Sequence, residues 1–185
     1  MTTFPMTSIE LLLQRQSNPS VTSPAPNTQA LEQILAAGMR VPDHACLQPW
    51  HFTVITENGL QRLSDLLVAS SNKQTDKIEK IAKKPFRAPM IIVISTEFIE
   101  HEKVPQQEQL ITAGCCAHAM QMAAFSLGFG AMWRTGGLAY NKQVKQGLGV
   151  SEQDEIVGFL YIGTLCKEQR LKAPKRFESK VSYWK

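Results

Sequence analysis

The segment 110–133 constrains the fold more than any other, because it contains no Asp, Glu, Lys or Arg. An uncharged segment of this length is long enough to span a bilayer as a helix. It is, however, rich in Gly and Ala, it contains Thr, His and Gln, and it does not have the aromatic and basic residues that flank both ends of a membrane span. A helix that is apolar on all sides is otherwise buried within a protein. We therefore predict a central buried helix, whose small residues let a second backbone approach closely: Ala113, Gly114, Ala117 and Ala123.

Composition indicates one soluble domain. A chain of 185 residues with 43% hydrophobic residues can bury a core without help from disulfides or metals. The formal net charge of +4 suits a small anionic ligand and falls short of a nucleic-acid interface. The four cysteines show no disulfide spacing and no signal peptide is recognisable, so we expect a cytoplasmic protein. Residues 1–165 are predicted to form the domain and residues 166–185 a basic, irregular tail.

The remaining patterns predict alternating helices and strands. A capping box, Thr7 with Glu10, begins the first helix, which ends near Arg15. Further helices are predicted at residues 29–39, 60–70, 72–84 and 141–148. Strands are predicted at residues 51–56, 90–95 and 156–164, with a short strand within residues 128–137. The β-branched run at residues 90–95 is typical of a strand buried on both faces. This order predicts helices around a few strands, in an α/β or an α+β layered fold.

Residues 40–52 form a polar loop bounded by prolines. Pro42 and Pro49 force extended backbone on the residues before them, so the loop is ordered rather than helical. It carries several polar groups and one large aromatic ring: Arg40, Asp43, His44, Gln48 and Trp50. Such loops often bind ligands. The alternative is a structural connection in which Trp50 only covers the core.

Several chemistries lack the motifs they need. The chain has neither a nucleophile elbow nor a Walker loop, and Gly128-x-Gly130 lacks the third glycine of a dinucleotide fingerprint. No segment has the ligand spacing of a metal site, so no metal is predicted. What remains is an anion clamp of Arg15 and Ser17, the proline-bounded loop and a late glycine-rich loop. These suit a flat anionic cofactor whose own ring performs the chemistry.

Together these motifs resemble the nitroreductase family, and in particular its small bacterial members. The resemblance extends in order from residue 9 to residue 164. Its motifs are Arg15-x-Ser17, Arg40-x-Pro42-Asp43-His44, Gln48-Pro49-Trp50-His51-Phe52, Gly128-Phe129-Gly130 and Trp133-Arg134-Thr135-Gly136. It implies an α+β fold, with a central mixed β-sheet surrounded by helices, in a domain-sharing homodimer. It also implies an FMN at each of two sites on the subunit interface, with the tail on the partner subunit.

The resemblance further implies roles for individual residues. FMN would be bound by Arg15, Gln16, Ser17, Trp133, Arg134 and Thr135 of one subunit and by Arg40 and His44 of its partner. NAD(P)H would lie along Ala123, Ala124, Phe125, Ser126, Leu127 and Gly128. Many relatives carry basic residues where this chain has Gln16 and Pro19, so phosphate binding is expected either to be weaker or to be completed by Lys172, Lys175 or Arg176 of the tail. No side chain is predicted to act as a catalytic acid or base.

The reaction implied is ping-pong hydride transfer from NADH or NADPH, through FMN, to a nitroaromatic or quinone-like acceptor. The expected partners are a second copy of the chain and a small-molecule acceptor, with no nucleic acid and no membrane. The sequence leaves open the acceptor and the choice of nucleotide. Two other classes stay open: a flavin-binding protein for storage or sensing, and an interaction protein that has lost the cofactor.

Overall fold

The structure is a computed structural model that describes residues 7–71 and 75–185. The helices are α1 (Ser8–Gln14), α2 (Thr28–Gly38), α3 (Asn58–Ala69), α4 (Thr75–Ala82), α5 (Gln106–Ser126) and α6 (Lys142–Gly147). The strands are β1 (Val21–Thr22), β2 (Trp50–Thr56), β3 (Met90–Thr96), β4 (Phe129–Arg134) and β5 (Ile156–Leu165). Short 3₁₀ turns occupy His44–Cys46, Pro85–Arg87 and Glu178–Lys180.

Most of the uncharged segment forms the central helix α5, as predicted. Ala113, Ala117 and Ala124 of this helix are fully buried. The helix ends at Ser126, and Gly128 turns the chain into β4 with φ 83°. At the start of the segment Ile111 stays 59% exposed, so this end of α5 is not covered within one protomer. Within the described residues no helix is long and apolar enough to cross a membrane.

The strands form one sheet with β5 at its centre. β3 pairs with β5 and with β2, while β4 and the short β1 also pair with β5. Every one of these pairings is antiparallel. The α+β fold is therefore confirmed, but the described strands form an antiparallel sheet where we expected a mixed one. β1 lies in a proline-rich stretch that we read as a plain connector, because two residues are too few for a strand pattern.

Two apolar cores cover the two faces of the sheet. Successive residues of a strand point to opposite faces, so β3 contributes Ile91 and Val93 to one core and Ile92 and Ile94 to the other. Helices α3, α4 and α6 cover the first face, and α2 and α5 cover the second. All seven residues of β3 are buried, which confirms the prediction of a strand buried on both faces.

Capping side chains set the starts of several helices. Thr7 accepts a hydrogen bond from the backbone N–H of Glu10, whose carboxylate bonds back to Thr7, so the predicted capping box is present. Asn27 caps α2 and Asn141 caps α6. Helix α3 begins at Asn58, two residues earlier than predicted. Helix α4 begins at Thr75, and residues 72–74 of that prediction lie outside the described residues.

Candidate functional site

The predicted anion clamp lies between α5 and β4. Arg15 ends α1, and the backbone N–H of Asn18 donates to the carbonyl of Ala131 in β4 at 2.9 Å. Gln121, 4% exposed on α5, donates from Nε2 to the Ser17 hydroxyl at 3.4 Å and to the carbonyl of Ala131 at 3.2 Å. These bonds fix the clamp segment against a rigid helix and strand. The sequence patterns did not identify Gln121 as a site residue, although it is one of the few polar residues in the uncharged segment.

Arg134 joins the clamp to the end of β4. Its Nη2 donates to the carbonyl of Pro19 at 3.2 Å, and its guanidinium carbon lies 5.4 Å from the centre of the Tyr161 ring. The structure thus brings together two of the predicted cofactor segments, residues 15–17 and residues 133–135. They are far apart in sequence and meet only because β4 pairs with β5 beside the clamp.

Two buried nitrogen atoms at this junction have no hydrogen-bond partner in the described part of the chain. They are Nη1 of Arg15 and Nε of Arg134. A buried donor without an acceptor is costly, and more so on a cation. Such atoms are expected where a bound group supplies the acceptors. A phosphate or another electron-rich oxygen fits both positions, so the residues present suit an anionic cofactor.

A hollow of about 180 Å³ opens beside Thr135. Its polar lining is Arg134, Lys84, Arg87, Thr135 and Tyr161, and none of its lining residues is acidic. Burial raises the pKa of the Tyr161 phenol, and the positive charges of Arg134 and Arg87 act in the opposite direction. The hollow is therefore electropositive. Lys84, Arg87 and Tyr161 were missed because nothing in their local sequence marks them.

Trp133 lies on the opposite face of β4 from Arg134. Its Nε1 donates to the carbonyl of Val157 at 3.2 Å, so the indole is fixed against β5. Gly158 passes directly beside the ring, where a side chain would clash with Nε1. On the helix side the indole packs over Gly114 of α5. The close approach of the indole explains one of the small residues of the uncharged segment, Gly114.

The segment expected to bind NAD(P)H forms the last turn of α5 and the turn that follows. Ala123, Ala124, Phe125 and Ser126 close the helix, and Leu127 and Gly128 lead into β4. Ala124 is buried, whereas Ser126, Leu127 and Gly128 are exposed. The segment thus precedes the strand that carries Trp133 and Arg134, and its last three residues are open to solvent.

Arg40 follows α2, where its backbone N–H donates to the carbonyl of Ala37 at 3.2 Å, and His44 lies away from the clamp. His44 Nδ1 is 3.0 Å from Oε2 of Glu108 in the first turn of α5, whereas Ser17 contacts Gln121 in the second half of that helix. At roughly 1.5 Å per residue, the two contacts are about 20 Å apart along α5. One protomer therefore does not bring His44 to the clamp.

The loop that carries His44 has an unusual but well-supported backbone. Ala45, Cys46 and Gln48 have φ values of 60°, 54° and 50°, in a region that residues other than glycine rarely adopt. Gln48, which precedes Pro49, is therefore not extended as predicted. The carboxylate of Asp43 accepts a hydrogen bond from the backbone N–H of Gln48 at 2.8 Å and closes the loop. Strained backbone of this kind is often found at binding sites.

Cys116 offers no nucleophile at this site. All four thiols are free. Burial raises the pKa of Cys116 on α5 to about 12, and a thiol rather than a thiolate is therefore present at neutral pH. Thiolate chemistry at Cys116 is excluded as the basis of activity.

Comparison with known proteins gives the class of this chain. The sequence profile described as the Nitroreductase family matches residues 12–164. The chain belongs to the nitroreductase family, as its motifs predicted, and is an enzyme of that family. It is 46% identical over 162 residues to the Escherichia coli K12 protein named "Putative NAD(P)H nitroreductase YdjA", covering 86% of this chain and 88% of the relative.

Solved structures share the fold. The nitroreductase-like family protein from Bacillus cereus superposes with a TM-score of 0.86 at 24% identity, covering 100% of this chain and 98% of the other. A nitroreductase with bound FMN from Bacteroides fragilis gives a TM-score of 0.72 at 20% identity, covering 96% and 98% of the two chains.

Proposed function

We propose that this protein is an FMN-dependent NAD(P)H oxidoreductase that reduces nitroaromatic or quinone-like acceptors by a ping-pong mechanism. The observation that carries the proposal is the pair of buried, unpaired donors on Arg15 and Arg134, within two family motifs that the fold brings together. The relative named as an NAD(P)H nitroreductase and the related fold solved with FMN support it. Bound FMN would supply the hydride-transfer chemistry, and the chain would supply orientation and charge.

Different segments of the chain would bind different parts of the cofactor. Arg15, Gln16 and Ser17 would hold the phosphate and ribityl end, with Arg15 Nη1 gaining an acceptor. Trp133, Arg134 and Thr135 would lie along the ring, where the positive charges of Arg87 and Arg134 in the hollow favour negative charge on the cofactor. Ala123 to Gly128 would border the nicotinamide nucleotide. The tail runs beside the clamp, since Gln16 donates to the carbonyl of Arg170 at 3.1 Å, which suits a phosphate-binding role for Lys172, Lys175 or Arg176.

A homodimer would complete each site. His44 lies about 20 Å along α5 from the clamp of its own chain, so it is proposed, together with Arg40, to serve the partner's FMN. The surface supports association, because α1 exposes a cluster of apolar side chains: Ile9, Leu12 and Leu13 are 60%, 58% and 69% exposed. Ile111 on α5 is also 59% exposed. Clusters of this kind are typical of protein interfaces.

The tail is proposed to pack on the partner subunit, beyond a domain formed by residues 1–165. Trp184 is 99% exposed and Tyr183 is 75% exposed, at the end of a segment that contacts its own chain mainly near the clamp. Such large aromatic side chains are rarely left in solvent without a partner. The free thiols are consistent with a cytoplasmic location, which we also propose.

The purified protein is expected to be yellow and to release FMN rather than FAD on heating. Excess FMN at about a hundred times its dissociation constant should raise the melting temperature by roughly 5–10 °C, because a ligand of the native state stabilises it. Chromatography of the released flavin and a thermal melt with and without FMN measure the two effects. Release of FAD, or no shift with FMN, would count against the proposal.

Turnover distinguishes an enzyme from a flavin-binding protein. NADH and NADPH should each be tested for bleaching the flavin absorbance under anaerobic conditions, and a nitroaromatic or a quinone should then restore it. Parallel lines in double-reciprocal plots of initial rate against nucleotide concentration, measured at several acceptor concentrations, would support the ping-pong scheme. A bound flavin that neither nucleotide reduces would favour storage or sensing instead.

Trp184→Ser is expected to weaken dimerisation by about a hundredfold or more. A buried large apolar side chain contributes roughly 1.5–3 kcal/mol, and two-fold symmetry doubles the loss. Sedimentation velocity over a dilution series measures the dissociation constant. Tyr140→Ser is the matched control, since Tyr140 is 69% exposed and directly precedes Asn141, the N-cap of α6. Equal dimer dissociation constants for Trp184→Ser and Tyr140→Ser would show that the tail does not pack on a partner.

A further inference from the structure

Glu108 is a charged residue at the edge of the proposed site to which no role has been given. Its Oε2 lies 3.0 Å from Nδ1 of His44, and the two side chains are 51% and 58% exposed. The pair lines an open hollow of about 480 Å³ together with Pro42, Asp43, Ile111 and Thr112. In one protomer this hollow opens next to the uncovered end of α5, where the partner is proposed to pack.

The carboxylate is carried by a rigid helix start. The neighbouring Gln109 is 1% exposed, and its side chain makes three hydrogen bonds to the backbone of the preceding loop. Its Oε1 accepts from the N–H of Ile99 at 2.9 Å, and its Nε2 donates to the carbonyls of Ile99 and Val104 at 2.7 and 3.0 Å. The first turn of α5, and Glu108 with it, is therefore fixed to the body of the protein.

The imidazole is carried by the strained loop, which the Asp43–Gln48 hydrogen bond closes and the buried Pro49 anchors. The His44–Glu108 contact thus links two rigid elements. A ring nitrogen that faces a carboxylate carries a proton, and this choice fixes the state of the other nitrogen. With Nδ1 directed at Glu108, the atom left to face the hollow is Nε2.

We infer that Glu108 is a positioning residue, which fixes the tautomer and orientation of His44 so that Nε2 faces the partner's FMN. This inference rests on the proposed function, in which His44 contacts that cofactor. The carboxylate itself need not touch the flavin. Its contribution is to keep the His44 side chain, which would otherwise rotate and exchange tautomers in solvent, in one orientation and one tautomer.

FMN titration of the apo dimer tests the inference with a matched control. His51 and Glu97 form a second exposed pair, with Nδ1 and Oε1 3.4 Å apart and side chains 58% and 60% exposed. Glu108→Gln is expected to weaken FMN binding about tenfold, the usual effect of losing a hydrogen bond to a charged group. Glu97→Gln should leave the dissociation constant within about twofold.

A second readout needs no flavin. With ¹⁵N-labelled histidine at about pH 8, His44 should show a single tautomer with the proton on Nδ1. Glu108→Gln should give a mixture, and Glu97→Gln should leave the His44 signals unchanged. The charged groups that line this hollow are Asp43 and Glu108, and the carboxylate of Asp43 already accepts the N–H of Gln48.

A double-mutant cycle separates positioning from a purely structural role. If Glu108 acts through His44, adding Glu108→Gln to His44→Gln should weaken FMN binding no further. Full FMN affinity in Glu108→Gln, an unchanged tautomer, or additive losses in the double variant would each overturn the inference. Wild-type protein that binds no FMN would overturn the proposed function and this inference together, so the two failures are distinguishable.

Discussion

A mixture of two inactive variants, Arg15→Glu and Arg40→Glu, is expected to recover about a quarter of wild-type activity after joint unfolding and refolding. Each variant alone places an anion near the phosphate or the electron-rich ring, so its homodimer should bind FMN poorly. In a mixed dimer, however, one site receives both altered residues and the other receives neither. Random pairing makes about half of the dimers mixed, so roughly a quarter of all sites are intact.

NAD(P)H-dependent acceptor reduction per subunit measures the recovery, and FMN binding per subunit reports it independently of turnover. Wild-type protein taken through the same cycle gives the yield of refolding. If the mixture remains as inactive as its parents while the wild type recovers, then Arg15 and Arg40 do not complete one site from opposite chains. Two Arg15→Glu and Arg40→Glu preparations mixed without unfolding provide the control for exchange of intact subunits.

Gly158→Ala is expected to destabilise the protein by about 1–3 kcal/mol or more, the range for overpacking of a filled interior. An added Cβ would clash with Nε1 of Trp133, and it would lie 2.6 Å from Cδ1 of that ring and 3.0 Å from the carbonyl oxygen of Arg134. The indole and β4 would have to move, and the proposed ring-binding segment with them. A lower melting temperature and weaker FMN binding should therefore appear together.

Gly114→Ala is the matched control, because it places a methyl group on the other side of the same indole. There the added Cβ would lie 3.8 Å from Cη2 of Trp133, an ordinary contact distance. Replacing a helical glycine by alanine commonly stabilises by about 0.5–1 kcal/mol. Thermal melts of the two variants should thus shift in opposite directions. A Gly158→Ala protein that melts like the wild type would show that Trp133 is not held against β5 as described.

Local chemistry was enough to predict much of the fold. The absence of charge from residues 110–133 predicted the central helix, since a long helix without a polar face must be buried. The β-branched run predicted β3 as a strand buried on both faces, and the Thr7–Glu10 and Asn141 patterns placed helix starts that the structure contains. These features depend on residues close together in sequence, where periodicity and capping act directly. The motifs likewise identified the family before any geometry was known.

Strand pairing and the spatial neighbours of the site residues could be read only from the three-dimensional structure. β1 and the antiparallel pairing depend on hydrogen bonds to distant strands, which a two-residue segment cannot encode alone. The contact of Arg134 with Pro19, the unpaired donor on Arg15 and the place of Lys84, Arg87 and Tyr161 around one hollow arise from chain closure over long separations. Glu108 reads in sequence as an ordinary acidic residue in a first helical turn, and only packing of the loop on α5 sets it beside His44. Local patterns in the sequence were enough to predict the family and most of the helices and strands, with β1 as an exception. The arrangement of charges around the site needed the fold, because electrostatic and hydrogen-bond partners are chosen by distance in space.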